Sequence, residues 1–168
     1  IILNNLCADT KLLDSFNIDL NEKNNYKKIT FLYVGRFSPV KGLDTLLTCW
    51  KNLQRLEISK KCELILVGNG KISSEFRNLK SIKIINFLQP ENLFKLARGT
   101  DCFILPSNFE PWGVVLHEFA YLGLPLIVSD KVGSIPYFLI DEYNGYIFKN
   151  SDSKDLLEKI IKFSKLSN

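Results

Sequence analysis

Short apolar runs alternate with amphipathic segments along most of the chain. Buried strands of a parallel sheet are short and almost continuously apolar, whereas helices place apolar residues at three- and four-residue spacing. The pattern predicts six strands, at residues 30–34, 63–67, 82–87, 102–105, 125–128 and 145–148. It predicts helices at residues 43–56, 72–78, 91–97, 114–122, 135–140 and 153–163. Ser151 or Asp152 would cap the last helix.

Strands that alternate with helices indicate an α/β fold, here a Rossmann-like parallel six-stranded sheet with helices on both faces. The usual strand order of such a sheet is 3-2-1-4-5-6, with a switch point between the first and fourth strands. Ligands bind at the carboxyl ends of the strands beside that point. The loops that leave those two strands are residues 35–42 and 106–113, so we expect the functional site there.

The first 27 residues do not share this pattern. Residues 21–28 are rich in Asn and Lys and read as a solvated linker. We therefore divide the chain into an inter-domain segment, residues 1–27, and one domain, residues 28–168. The chain has 168 residues and no Met, even at its first position, so we expect it to be a piece of a longer protein.

Composition excludes several classes of protein. Hydrophobic content of 46% and charged content of 24% are ordinary for a globular domain. No apolar run reaches the roughly 18 residues of a membrane span, and the given sequence shows no basic-then-apolar pattern typical of a signal peptide. The net charge is +4, but Lys and Glu are interspersed, which argues against binding of nucleic acid. We expect a cytoplasmic protein with reduced thiols, because its cysteines have no C-x-x-C spacing: Cys7, Cys49, Cys62 and Cys102.

Two glutamates eight positions apart form the most informative motif. Glu110 follows the fourth predicted strand in a loop, and Glu118 lies about one and a half turns into a helix that begins near Gly113. The first N–H groups of a helix have no intrahelical acceptor and form an anion site. Acids on either side of an anion site suit a nucleotide-sugar, which carries hydroxyl groups at both ends and a diphosphate in the middle.

The loop after the first strand carries two cations, Arg36 and Lys41. It matches neither G-x-G-x-x-G nor a P-loop, which disfavours a nicotinamide or flavin cofactor. Arg presents a planar fork to phosphate oxygens, and Lys adds a mobile point charge. Two solvated surface charges would look the same in isolation. Their position next to the glutamate loop favours phosphate binding.

The run Phe-Glu-Pro-Trp-Gly with its second glutamate, together with the basic loop, resembles the E-x7-E motif of the group 1 retaining glycosyltransferases. These enzymes have the two-domain GT-B fold, and the resemblance extends from about residue 28 to about residue 163. It implies that the chain is the C-terminal, donor-binding domain. It also implies that Arg36 and Lys41 bind the donor diphosphate, that Glu110 contacts the donor sugar and that Glu118 contacts the ribose.

The resemblance extends to four more binding residues. Gly113, Val114 and Val115 would offer backbone N–H groups to the phosphates, and the loop with Leu88 follows the third strand, where the family often places the base. The sequence departs from the family pattern at Tyr137, where a Glu often follows the proline, and this leaves the role of that position open.

The implied activity is transfer of a hexosyl group, with retention, from a nucleotide-diphosphate sugar to an acceptor in polysaccharide or glycoconjugate synthesis. Arg36, Lys41 and Glu110 would be the catalytic residues. No D-x-D motif occurs, so no metal and no cofactor are expected. A missing N-terminal domain would supply the acceptor site, so this piece alone should turn over little. Peripheral association of the full-length enzyme with a membrane is compatible with the resemblance.

Two other readings of the same motifs remain open. A GT-B epimerase or phosphorylase would use the same donor site for a different reaction. A non-catalytic sugar-nucleotide-binding module would bind the donor without any chemistry. We expect a packing or surface role for His117, the only histidine. Trp112 takes a place where the family commonly has an aromatic residue, and either packing or a ligand contact fits it.

Overall fold

The computed structural model describes residues 28–166. The strands are β1 (Ile29–Val34), β2 (Cys62–Val67), β3 (Ile82–Ile85), β4 (Cys102–Leu105), β5 (Leu126–Ser129) and β6 (Gly145–Phe148). The helices are α1 (Leu43–Leu53), α2 (Glu75–Asn78), α3 (Pro90–Ala97), α4 (Val114–Tyr121), α5 (Ile135–Phe138) and α6 (Ser153–Leu166), with 3-10 turns at Pro39–Lys41 and Glu57–Lys61. The predicted inter-domain segment and Cys7 lie outside the described residues.

All six strands form one parallel sheet in the order β3-β2-β1-β4-β5-β6, which confirms the predicted fold and strand order. The order reverses between β1 and β4, whose register pairs Phe31 with Cys102 and Leu32 with Phe103. Successive strands are therefore added outward in opposite directions on the two sides of this pair. The loops after β1 and β4 leave the same edge of the sheet side by side.

Helices cover both faces of the sheet. Successive strand residues point to opposite faces, so Phe31 packs with α1 and α6 while Leu32 packs with α4. On the first face Trp50 meets Phe31 edge-on, with ring centroids 5.9 Å apart. Because both faces of the sheet are buried, its strands appear in the sequence as almost continuous apolar runs.

Several predicted boundaries were wrong at their ends. The helix predicted for 43–56 ends at Leu53, because the buried part of its apolar stripe stops there. Leu53 is fully buried, whereas Leu56 is exposed. The helices predicted for 72–78 and 135–140 have only four residues each. The strand predicted for 82–87 ends at Ile85, since Phe87 donates its N–H to the Asn69 side chain (3.1 Å).

The start of the last helix was predicted correctly. Asp152 is the cap, because its Oδ1 accepts the N–H groups of Lys154 (3.0 Å) and Asp155 (3.1 Å). Those two hydrogen bonds stabilise the carboxylate and lower the pKa of Asp152. Within residues 28–166, no helix has the length and apolar composition that crossing a bilayer requires.

Candidate active site

A cleft of about 490 Å³ opens at the carboxyl ends of β1, β3 and β4. Seven of the eight predicted site residues line it: Lys41, Leu88, Glu110, Gly113, Val114, Val115 and Glu118. The eighth, Arg36, lies in the loop after β1 with an exposed side chain outside this lining. The fold thus gathers residues from three separate loops and one helix at the switch point.

The loops after β1 and β4 pack directly on each other. Gly42 has a left-handed backbone (φ 66°), and a Cβ there would overlap the carbonyl oxygen of Pro106. Asn108 donates its backbone N–H to the carbonyl of Val40 (2.8 Å) and its side-chain amide to that of Pro39 (3.0 Å). This close approach brings Lys41 over the glutamate loop.

Lys41 and Glu110 form an ion pair between the two loops. Their side chains are only 23% and 14% exposed, so the attraction is screened less than on an open surface. Lys41 ends the 3-10 turn Pro39–Lys41, and Glu110 precedes α4. One cation and one carboxylate therefore meet at one end of the cleft.

The backbone of Glu110 is held by the loop after β5. Its N–H donates to the carbonyl of Lys131 (3.1 Å), and its carbonyl accepts from the N–H of Gly133 (2.9 Å). Two residues on, the carbonyl of Trp112 accepts from the N–H of Ser134 (3.0 Å). The loop after β5 therefore supports the motif through its backbone.

The start of α4 offers unused donors to the cleft. Gly113 is the N-cap in a left-handed conformation (φ 86°), and no side chain caps the helix. Leu116 donates to the carbonyl of Gly113 (2.9 Å), so the N–H groups of Val114 and Val115 precede the first intrahelical bond. Both valines line the cleft, where these donors and the helix dipole favour an anion.

Glu118 projects from α4 into the same cleft. It is half-buried, and desolvation raises the pKa of its carboxyl group. A carboxylate that has lost water gains from any hydroxyl or N–H that a ligand brings. The cleft therefore contains two acids. Glu110 is paired with a lysine, whereas Glu118 is partly desolvated by burial.

The far wall of the cleft is apolar and was largely missed by sequence reasoning. It comprises Leu88 together with Phe87, Pro90, Leu93 and Phe94. In the sequence, Leu93 and Phe94 look like ordinary core positions of α3, because their spacing is that of any amphipathic helix. The usable signal was Pro90, which starts a helix directly beyond the carboxyl end of β3.

The aromatic residues beside the motif pack against each other. The His117 ring stacks on Phe138 with centroids 4.3 Å apart, and burial lowers the pKa of its imidazole. Trp112 contacts Tyr137 with ring centroids 5.2 Å apart and is outside the cleft lining. The stacking of His117 agrees with its predicted packing role, and the contact of Trp112 fits the packing alternative.

Potential metal ligands are not clustered in the described part of the chain, and its thiols are buried. Residues 28–166 contain no group of three His, Cys, Asp or Glu side chains arranged to hold a metal ion. The three described cysteines are buried, and desolvation raises the pKa of each thiol: Cys49, Cys62 and Cys102.

Comparison with known proteins supplies the family. The model described as "Glycosyl transferases group 1" matches residues 15–168, and the chain belongs to this family. The chain is 32% identical over 171 residues to a glycogen synthase of Acholeplasma laidlawii, a match that covers 94% of the chain and 34% of the synthase. It is 28% identical over 136 residues to an uncharacterized glycosyltransferase of Methanocaldococcus jannaschii, covering 77% of the chain and 36% of that protein.

Solved structures share the fold. WaaG, a glycosyltransferase involved in lipopolysaccharide biosynthesis, superimposes with a TM-score of 0.74 at 21% identity, covering 85% of this chain and 40% of WaaG. The catalytic domain of a cholesterol-α-glucosyltransferase from Helicobacter pylori gives a TM-score of 0.70 at 18% identity, covering 84% of this chain and 89% of that one. The chain spans about a third of the length of the curated relatives that it matches.

Proposed function

We propose that residues 28–168 are the donor-binding domain of a retaining hexosyltransferase that takes its sugar from a nucleotide-diphosphate sugar. The observation that carries the proposal is the meeting of Lys41, Glu110, Glu118 and the uncapped start of α4 in one cleft. Its volume lies within the usual range of small-molecule sites, about 300–1,000 Å³.

In this proposal the diphosphate lies over the N-terminus of α4. The N–H groups of Gly113, Val114 and Val115 face its oxygens, and Lys41 and Arg36 supply positive charge. Arg36 has an exposed side chain in the same loop as Lys41, from which it can turn toward a bound anion.

The two acids would hold the ends of the donor. Glu118 would accept hydrogen bonds from the ribose, which fits a carboxylate that burial has partly desolvated. Glu110 would accept them from the sugar hydroxyls next to the diphosphate. The base would lie against Leu88 on the apolar wall.

The reaction breaks the bond between the anomeric carbon and a diphosphate oxygen. Negative charge grows on that oxygen, and Arg36, Lys41 and the helix start stabilise it in the transition state. The acceptor hydroxyl attacks from the face that the diphosphate leaves, and its proton passes to the departing phosphate oxygen, so configuration is retained. In this route Glu110 binds sugar hydroxyl groups, and no carboxylate acts as a nucleophile. The side chains and the helix start supply the positive charge, so the proposal requires no metal.

The acceptor site would belong to an N-terminal domain joined through residues 1–27. The curated relatives are about three times as long as their match to this chain, which leaves room for such a domain. The relatives include glycogen synthases, and WaaG acts in lipopolysaccharide biosynthesis, so we propose a polysaccharide or glycoconjugate product. We also propose that the enzyme is cytoplasmic and associates peripherally with a membrane where its acceptor is a lipid conjugate.

Calorimetric titration of UDP, GDP and ADP tests the donor site. We expect one nucleotide to bind selectively, and Arg36→Ala and Glu118→Ala each to weaken that binding markedly while leaving it measurable. Matched controls are Arg77→Ala and Glu158→Ala, which remove exposed charges of α2 and α6. The proposal fails if no nucleotide binds, or if the site variants bind as well as the controls.

Product analysis tests the chemistry. NMR of the product made by the full-length enzyme should show the anomeric configuration of the donor, and residues 1–168 alone should give little transfer. Epimerised donor would instead indicate a GT-B epimerase. Tight donor binding without any turnover by the full-length protein would indicate a binding module.

A further inference from the structure

Tyr33 lies directly beneath the loop that carries Arg36. Its side chain leaves β1 one residue before the strand ends and is fully buried. Its hydroxyl donates a hydrogen bond to the carbonyl of Arg36 (3.0 Å). The loop passes so close that a Cβ on Gly35 would lie 2.9 Å from this hydroxyl. The phenol is therefore in contact with two successive residues of the loop.

The donor end of this hydrogen bond is rigid and stays protonated. The Tyr33 ring is part of the core beneath α1 and stacks on Phe37 with centroids 6.2 Å apart. Burial, and secondarily the charge of Glu110, raise the pKa of the phenol well above its usual value. The group is a neutral O–H donor throughout the physiological range.

The backbone on both sides of Arg36 is fixed from another direction. Gly35 donates its N–H to the carbonyl of Val67 (3.0 Å), and Phe37 donates to that of Asn69 (2.8 Å). These bonds attach the loop to β2 and the turn that follows it. The carbonyl of Arg36 is instead held by Tyr33, so the backbone is held at three consecutive residues and the guanidinium remains the movable part.

We propose that Tyr33 is a positioning residue for Arg36. By holding the Arg36 carbonyl, the Tyr33 hydroxyl sets the direction in which the guanidinium leaves the loop. The role rests on the proposed function of Arg36 in binding the donor diphosphate. The hydrogen bond itself can be tested without any ligand.

Trypsin cleavage between Arg36 and Phe37 reports the hydrogen bond directly. Cleavage of a folded chain requires local opening, so it follows the population of the open loop. In the full chain, Tyr33→Phe should increase the rate at Arg36 about three- to tenfold relative to the rate at exposed Arg55, the effect of one lost neutral hydrogen bond. Tyr143→Phe, which changes a mostly exposed tyrosine elsewhere, should leave the ratio unchanged. An unchanged ratio in Tyr33→Phe would overturn the proposal.

A double-mutant cycle tests whether the effect acts through Arg36. UDP, GDP and ADP are titrated into the native protein, Tyr33→Phe, Arg36→Ala and the double variant. Tyr33→Phe should weaken the preferred nucleotide about three- to tenfold in the native background and less than about twofold in the Arg36→Ala background. Equal losses in both backgrounds would mean a general structural role and would overturn the proposal. Binding of no nucleotide by the native protein would contradict the proposed function. The cleavage ratio would still test whether the Tyr33 hydroxyl holds the loop at Arg36.

Discussion

Lys41 and Glu110 are 69 positions apart in the sequence, yet they form an ion pair between the loops that follow β1 and β4. In the proposed function a donor diphosphate draws Lys41 away from this partner. The carboxylate of Glu110 then becomes available to the hydroxyl groups of the donor sugar. A nucleotide without a sugar would leave Glu110 half-shielded and unpaired, so the pair should favour the complete donor.

Glu110→Gln should therefore have opposite effects on two ligands. Without the carboxylate, Lys41 is free for phosphate, and the bare nucleoside diphosphate should bind about two- to fivefold more tightly, which corresponds to a partly shielded ion pair. The nucleotide-sugar should bind more weakly, because an amide is a poorer acceptor for sugar hydroxyls. Calorimetry with both ligands measures whether the two affinities change in opposite directions.

The matched control is Glu75→Gln, which breaks the exposed ion pair of Glu75 with Lys51. It should change neither affinity. Weakening of both ligands to the same degree by Glu110→Gln would show that Lys41 is not held back by its partner.

Gly42→Ala should separate the two loops. Gly42 and Gly123 both have left-handed backbones (φ 66° and 74°), but a Cβ at Gly123 meets nothing within 4 Å. Gly123→Ala should cost the conformational penalty alone, about 1–2 kcal/mol. Gly42→Ala adds an overlap with the Pro106 carbonyl and should cost at least about 2 kcal/mol more, as a strained substitution at a packed site. Urea unfolding of both variants measures the difference, and equal losses would contradict direct packing of the loops.

Stability should depend on pH through Glu118. Desolvation raises its folded pKa above the unfolded value of about 4.3, so between these two values the folded chain binds more protons than the unfolded chain. The contribution of Glu118 to stability therefore falls as pH rises through that window, and the cost persists at neutral pH. Glu118→Gln should be more stable than the native protein at pH 7, and the gain should disappear as pH falls toward the unfolded value.

Urea unfolding at pH 7 and pH 4 provides the measurement, with Glu158→Gln on the exposed side of α6 as the control. The same Glu118→Gln variant should lose nucleotide affinity, because the desolvated carboxylate is kept for a ligand at a cost in stability. The measured quantity is the gain in unfolding free energy of Glu118→Gln over the native protein at each pH. A gain at pH 7 no larger than the gain at pH 4 would contradict this account.

Asn108→Ala should loosen the cleft without removing any group that lines it. The side-chain amide of Asn108 donates to Pro39 (3.0 Å), and its oxygen accepts from the Ser151 hydroxyl (3.2 Å). Loss of both bonds should lower the free energy of unfolding by about 1–2 kcal/mol and weaken nucleotide binding severalfold. Asn78→Ala, at an exposed position of α2, is the control and should change neither quantity. Unchanged binding by a destabilised Asn108→Ala would show that the loop contact does not position Lys41.

The sequence by itself determined the fold and most of the cleft. The apolar period of each strand and helix is a local property, and the alternation of strands with helices admits few parallel arrangements. Since loops at a switch point must lie together, the basic loop and the glutamate loop could be placed at one site from their positions along the chain. Seven of the eight residues predicted from these loops and from the family resemblance line the same cleft.

Tertiary structure decided which of those groups touch. The Lys41–Glu110 pair depends on a glycine contact at Pro106, and the hydrogen bond from Tyr33 to Arg36 depends on how the loop folds back over β1. The apolar wall from α3 depends on the angle at which that helix leaves β3. Tertiary packing also determined where α1 ends, because Leu56 keeps the helical spacing of apolar residues but is exposed. Such contacts join residues far apart in the chain, and periodicity carries no information about them.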